Sequence, residues 1–259
     1  MTSLIKTITP WSTIGFLTYF RTYSRKKEDG SMEDWPDTVE RVLQACDKQL
    51  HVGFSAEEED RLRNYMLQLK GLVAGRALWQ LGTQTVDRLG SASLQNCAFI
   101  KVDHPIVPFT WAMQNFGLGA GVGYSIERKH IEKIGKVNTW FSAPTEVDDF
   151  GADFVVPDSL EGWVRLLGKT LKAAFMSVTP DKGTFTYSMG VVRAKGKPIK
   201  GFGGVASGAQ PLVEGIAEIS KILNRRKGGN IRPIDAMDIM NVIATVIVAG
   251  NVLGNSSVG

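Results

Sequence analysis

Cysteine and histidine are scarce: the 259 residues hold two cysteines, Cys46 and Cys97, and three histidines, His51, His104 and His130. Two cysteines cannot build a disulfide framework or a cysteine-ligated zinc site, and a reducing, cytoplasmic setting is the default for such a chain. None of the histidines stands at a ligand or triad spacing, so no protein-held metal is expected. His104 is the nearest histidine downstream of Cys97, but an extended segment of that length puts it on the order of 20 Å away, too far for a cysteine-hydrolase pair. Long apolar runs are lacking as well. The most apolar stretch, Ile239–Leu253, is broken by Asn241, Thr245, Gly250 and Asn251 and reads as a buried helix, not a membrane span. No acidic residue precedes Glu28, yet the apolar core of a secretory signal is missing too. Dense basic runs are confined to Arg25–Lys27 and Arg225–Lys227, and the net charge is only +4. That balance argues against duplex nucleic acid as a partner and still suits a polyphosphate substrate.

What is present is a soluble, mixed chain. The N-terminal part, 1–74, reads as helical. "DWPDTVERVLQACDKQL" begins with a capping Asp34 and Pro36, and Val39, Val42, Leu43 and Cys46 follow at helical spacing, which makes Cys46 a core residue. "SAEEEDRLRNYMLQLKGL" repeats the pattern, with Ser55 as cap and acids in the first turn. From residue 75 the texture changes. A loop-rich run ends in a short strand around Cys97, followed by the helical "IVPFTWAMQNFGLGAG" and the alternating strand "VGYSIE". Asp158 is placed to cap the helix "SLEGWVRLLGKTLKAAF", and "GTFTYSMGVV" returns to strand. Two further helices open at Pro211 and near Pro233. Strands alternating with helices predict an α/β sheet or barrel, with ligands bound at strand ends.

Four stretches could carry chemistry: Gly82-Thr83 upstream of Cys97, the glycine run "GLGAGVG" at Gly117–Gly123, the Gly/Lys-rich segment Val192–Gly208, and "AGNV" at Ala249–Val252. The glycine run is not a dinucleotide fingerprint, because a helix precedes it and a strand follows. It is either a tight turn or a place where backbone meets ligand. The 192–208 segment lacks the Gly-Lys-Ser/Thr ending of a P-loop; it fits a nucleotide-binding loop or a solvated connection. A cysteine among apolar neighbours is ordinarily packing, but Cys97 is preceded by the polar pair Gln95-Asn96.

Taken together, "FLTYFRTYSR", "EDWPDTVERV", "GRALWQLGT", "SLQNCAF", "GAGVGYSI", "PDSLEGWV", "GFGGVASGAQPL" and "AGNV" resemble, in order, the monomeric adenosylcobalamin-dependent (class II) ribonucleoside-triphosphate reductases. The resemblance runs from about Trp11 to Val252. It implies a helical N-terminal region followed, over 75–252, by the first half of a ten-stranded α/β barrel that includes the effector-site region. It also implies reduction of ribonucleoside triphosphates to their 2′-deoxy forms for DNA precursor synthesis. In that chemistry a cobalamin-generated thiyl radical takes the 3′-hydrogen, and two other cysteines supply the electrons and become a disulfide. By resemblance Cys97 is the first of that pair and the catalytic residue of this chain. Gly82, Thr83, Asn96, Ala120 and Gly121 correspond to positions lining the substrate, largely through backbone groups, with Ala98 and Phe99 turning back to the core. Arg193, Lys200, Gly203 and Gly204 fall where a deoxynucleoside triphosphate effector would bind. A thioredoxin-like dithiol would be the reductant.

The match stops at Val252. Residues 253–259, "LGNSSVG", do not continue the family pattern, and the radical cysteine, the second redox cysteine and most of the adenosylcobalamin surface have no counterpart in this sequence. The expectation is an N-terminal reductase part that needs a complementing C-terminal part, with the open sheet edge of a half barrel prone to association. The alternative is a non-catalytic nucleotide-binding or regulatory fragment with no need of Cys97.

Overall fold

A computed structural model describes residues 11–197 and 205–249 and divides the chain, between Gln95 and Asn96, into two compact units. Gly250–Val252 of the "AGNV" stretch and the tail 253–259 lie outside the described residues.

The first unit is helical: α1 (Thr13–Thr22), α2 (Trp35–Leu50), α3 (Ala56–Leu67), α4 (Gly75–Gln80), α5 (Gln84–Leu89) and a closing 3-10 turn (Gly90–Leu94). Capping sets the starts. Asp34 and Asp37 form a reciprocal capping box on α2, and Ser55 and Glu58 do the same on α3. The expected stripe of α2 is buried, with Val39 and Val42 fully enclosed and Cys46 among them. Trp11, Tyr19 and Trp35 pack as an aromatic triplet with centroids 5.0–5.8 Å apart. Tyr19 directs its hydroxyl at Thr38 (2.8 Å), and burial raises its pKa to about 12.

This unit does not stop at residue 74. It takes in α4, which two guanidinium groups draw onto it, and α5, whose Asp87 accepts from Gln49. Arg41 binds both carboxylate oxygens of buried Glu33 (2.7 and 3.1 Å) and donates onward to the carbonyls of Leu78 (3.1 Å) and Leu81. Arg25 donates to the carbonyl of Trp79 at 2.9 Å. The last carbonyls of α4 thereby gain the cationic partners that a helix C-terminus favours.

The second unit is α/β. β1 (Cys97–Lys101), α6 (Val107–Gly117) and β2 (Gly121–Ser125) form a strand–helix–strand crossover with parallel pairing. A second parallel sheet has β5 (Thr186–Ser188) between β3 (Thr145–Glu146) and β4 (Phe154–Val155). α7 (Arg128–Ile131), α8 (Leu160–Phe175), α9 (Gln210–Asn224) and α10 (Pro233–Ala249) complete it. The core joins Phe109 and Met113 of α6 to Leu166, Leu167 and Leu171 of α8, Ile219 and Leu223 of α9, and Ile239, Met240 and Ile243 of α10. α9 and α10 approach closely at Gly215, where a Cβ would stand 2.2 Å from Val246. The expected α/β class is present, with the strands in two separate sheets rather than one. The cap of α8 is Ser159, whose hydroxyl oxygen accepts from the Gly162 amide, and not Asp158.

α10 is anchored by Asp235, which is 2 % exposed and accepts from Arg226 (2.8 Å) and from the Arg232 amide (2.8 Å) and guanidinium (3.2 Å). Burial pushes this carboxyl up, but its hydrogen bonds to Arg232 and Arg226 outweigh that and hold it below 3.8. A depressed folded-state pKa contributes stability that is present above the unfolded value and lost as pH falls through the folded one. Asp235→Asn is therefore expected to cost about 3 kcal/mol at neutral pH and to flatten the loss of stability as pH falls through and below the ordinary carboxylate range, read as urea midpoints.

Candidate active site

The two strands beside Cys97 are half-covered. Along β1, Ala98 and Ile100 turn inward, while Cys97, Phe99 and Lys101 are exposed. Strand alternation puts residues i and i+2 on one face. Phe99 therefore does not return to the core with Ala98: it stands on the open face with Cys97, 64 % exposed. Across the pair Cys97 is in register with Gly121, and Phe99 with Gly123. The thiol and the ring thus flank a strip with no side chains. At Gly123 a Cβ would come within 3.1 Å of the Phe99 ring.

Asn96 and Gly121 are joined by their backbones, the Gly121 amide donating to the Asn96 carbonyl at 2.8 Å, and both residues are exposed. Ala120 differs from expectation. It is 1 % exposed, and its amide donates to the Asn115 carbonyl at 2.9 Å, closing the turn from α6 into β2. Its side chain is a core group at the start of the strand, because residues 120 and 121 point to opposite faces. Of the residues expected around the thiol, Asn96, Cys97 and Gly121 share an exposed strand end, and Ala120 supports them from below.

Gly82 and Thr83 belong to the helical unit, in the turn between α4 and α5. Gly82 has φ +79, a conformation that favours glycine, and a Cβ there would lie 2.5 Å from Arg41 Cγ. Its amide donates to Gln49 Oε1 at 2.8 Å. Thr83 sends its amide (3.1 Å) and its hydroxyl (2.7 Å) to the Gln80 carbonyl, and its own carbonyl accepts from Gln49 Nε2 at 3.2 Å. Both amides of this turn thus have protein partners, which leaves its carbonyls and the Thr83 hydroxyl oxygen as groups it could present to a ligand.

Arg193 is half-buried and donates to Asp158 at 2.7 Å, so Asp158 serves the loop rather than the helix cap. Lys200, Gly203 and Gly204 lie outside the described residues. The flanks of that segment are tied together: the Gly196 amide donates to the Ala206 carbonyl, and the Ala206 amide to the Lys197 carbonyl, each at 2.8 Å. His104 is no partner for the thiol, because its Nδ1 accepts from the amides of Ile106 and Val107 at the start of α6. Among the described residues no group of His, Cys, Asp and Glu is gathered to hold a metal ion, and no helix is long and apolar enough to cross a membrane. No arrangement of them is specific to a corrin.

Sequence reasoning missed Phe99, Gly123, Arg41 and Gln49. Period-two counting from Cys97 finds the first. The last two act across long sequence separations that no local pattern reports.

An accessible thiol at the amino end of a parallel strand, opposite glycine, defines a site able to admit a substrate or a second thiol. Comparison with known proteins says which class this is. The family model "Ribonucleotide reductase alpha domain" matches residues 1–83, and "B12-dependent ribonucleotide reductase, insertion domain" matches 128–223, the span holding β3, β4 and β5. The chain belongs to the ribonucleotide reductases. Within them it corresponds to the N-terminal portion of the adenosylcobalamin-dependent, class II branch, as three likenesses attest. An adenosylcobalamin-dependent ribonucleoside-triphosphate reductase from Lactobacillus delbrueckii subsp. bulgaricus is 32% identical over 93% of this chain and 40% of its own. A probable adenosylcobalamin-dependent ribonucleoside-triphosphate reductase of Dictyostelium discoideum is 32% identical over 92% of this chain and 34% of its own. A crystal structure of a B-12 dependent (class II) ribonucleotide reductase superposes with a TM-score of 0.80 at 28% identity, covering 93% of this chain and 41% of that one. The chain thus spans about two-fifths of the length of the relatives it matches.

The two thiols differ in a way that can be measured. Cys46 is enclosed in the helical core, and burial pushes its thiol up, whereas Cys97 is exposed. Alkylation of the folded chain at neutral pH should modify about one thiol, Cys97, and denaturant should release the second; Cys97→Ser should leave the folded chain unlabelled.

Proposed function

We propose that this chain supplies the N-terminal part of an adenosylcobalamin-dependent ribonucleoside-triphosphate reductase and that Cys97 is one of the two thiols that reduce the substrate. The observation that carries the reading is the exposed thiol on β1 opposite Gly121, in a chain similar to these reductases over 93% of its length. Gly82, Thr83, Asn96 and Gly121 are the substrate contacts of this reading, with Ala120 holding the β2 start beneath Gly121. Adenosylcobalamin supplies radical initiation when bound, at a site that lies largely in the remainder of the reductase.

The balance of the reduction assigns Cys97 its task. Replacing a ribose 2′-hydroxyl by hydrogen and releasing water takes two electrons and two protons. Two thiols provide both as they close to a disulfide, and a thioredoxin-like dithiol then reopens it by exchange. Cys46 cannot be the second thiol, since it is buried in the helical core. The partner cysteine, and the cysteine that carries the radical, come from the remainder of the reductase, in the same polypeptide or in another. Arg193, Lys200, Gly203 and Gly204 are assigned to a deoxynucleoside triphosphate effector, a reading supported by exposed Lys195 and Lys197 beside them.

The test is turnover. The chain completed with the C-terminal part of a class II reductase, given adenosylcobalamin, a ribonucleoside triphosphate and a small dithiol, should form deoxynucleotide. Cys97→Ser should lower that rate by roughly a thousandfold or more. Retention of most activity by the variant, or binding of a deoxynucleoside triphosphate without any turnover of the completed protein, would favour a regulatory module instead.

A further inference from the structure

Gln49, in the last turn of α2, joins the helical unit to the turn that carries Gly82 and Thr83. Its carboxamide is used at both ends: Oε1 accepts from the Gly82 amide at 2.8 Å, and Nε2 donates to the Thr83 carbonyl at 3.2 Å. Nε2 also donates to Asp87 Oδ1 at 2.6 Å, in the first turn of α5. That carboxylate fixes the amide's orientation, because the flipped form would set a carbonyl oxygen against it. The side chain therefore satisfies one main-chain donor and one main-chain acceptor on consecutive residues of the turn.

The turn needs such a partner. Gly82 sits at φ +79 with Arg41 packed against its Cα, and the Thr83 amide and hydroxyl both turn back to Gln80. With its amides spent on the protein, what the turn can offer a ligand is the lone pairs of the Thr83 hydroxyl and the exact path of the main chain. Both are set by where Gln49 holds it. α2 is itself held in place by its capping box and by a fully buried Val39–Val42 stripe, so its register is transmitted to the turn.

We propose that Gln49 is a positioning residue for the substrate: it does not touch the nucleotide but fixes the Gly82–Thr83 turn that does. The inference rests on the reading of Gly82 and Thr83 as substrate contacts.

Three variants in the completed reductase separate the two. Thr83→Ala tests the contact itself, Gln49→Met removes all three hydrogen bonds at similar volume, and Gln49→Glu keeps an acceptor for Gly82 while setting an oxygen against Asp87 in place of the donor. Gln49→Met should raise KM for the ribonucleoside triphosphate by roughly tenfold with kcat little changed, as a displaced contact loses binding before chemistry. Gln49→Glu should raise KM as well, because its second carboxylate oxygen would face Asp87 in place of the donor. Amide hydrogen exchange at Gly82 should quicken in Gln49→Met while the core of α2 keeps its protection. If Thr83→Ala raises KM and Gln49→Met does not, the positioning role is overturned and the contact stands. If Thr83→Ala leaves KM unchanged, the contact itself fails, and the inference falls with it. Loss of folding in Gln49→Met shifts the decision to Gln49→Glu, where an unchanged KM overturns the role.

Discussion

One pairing sets the exposure of the candidate thiol: Cys97 on β1 lies in parallel register with Gly121 on β2. A parallel pair cannot be joined by a tight turn, so the intervening residues must cross over, and α6 is that crossover. Because α6 packs on one side, the period-two alternation sorts every residue of both strands. Ala98, Ile100, Val122 and Tyr124 go toward the helices, while Cys97, Phe99, Gly121 and Gly123 go to the open side. A shift of one residue would bury the thiol and expose Ile100. The reactive position of Cys97 is thus a consequence of register, and the register is fixed by the core beneath it.

The helical unit fixes its Gly82–Thr83 turn by a different means. Glu33 and Arg41 are both largely out of water, an arrangement that costs stability unless every remaining hydrogen-bonding group is satisfied. Here Glu33 also accepts from the Thr38 hydroxyl at 2.8 Å and the Arg25 amide at 3.2 Å, and Arg41 spends its other donors on the end of α4. A charge pair that could be replaced by apolar packing is instead used to pin backbone carbonyls. Together with Gln49, it makes α2 the scaffold for the Gly82–Thr83 turn.

The readable parts of the sequence were those with local causes. Asp34, Pro36 and Ser55 announced their helices, and Val39, Val42 and Cys46 their buried face, because capping and 3.6-residue spacing act within a few positions. The two-residue strands β3 and β4 were invisible, being too short to show any alternation. Asp158 looked like a cap but faces Arg193 across a loop, and its neighbour Ser159 caps the helix. That the helical unit runs on to Gln95 has no local signal either, because Arg41 and Gln49 reach carbonyls and amides far along the chain. Phe99 was misassigned although the rule that places it was available, since strand periodicity starting from an exposed Cys97 requires it outside. The roles of Cys97, Gly82, Thr83, Asn96 and Gly121 came from motif resemblance, not from spacing.

In the proposed reaction Cys97 gives up its hydrogen and electron to the substrate and ends in a disulfide with a cysteine from the remainder of the reductase. A single turnover of the completed reductase without external dithiol, quenched with an alkylating agent and mapped by peptide mass, tests it directly. The account predicts a disulfide-linked peptide containing Cys97, formed in step with deoxynucleotide. Deoxynucleotide formed while Cys97 is recovered wholly as the alkylated thiol would contradict it.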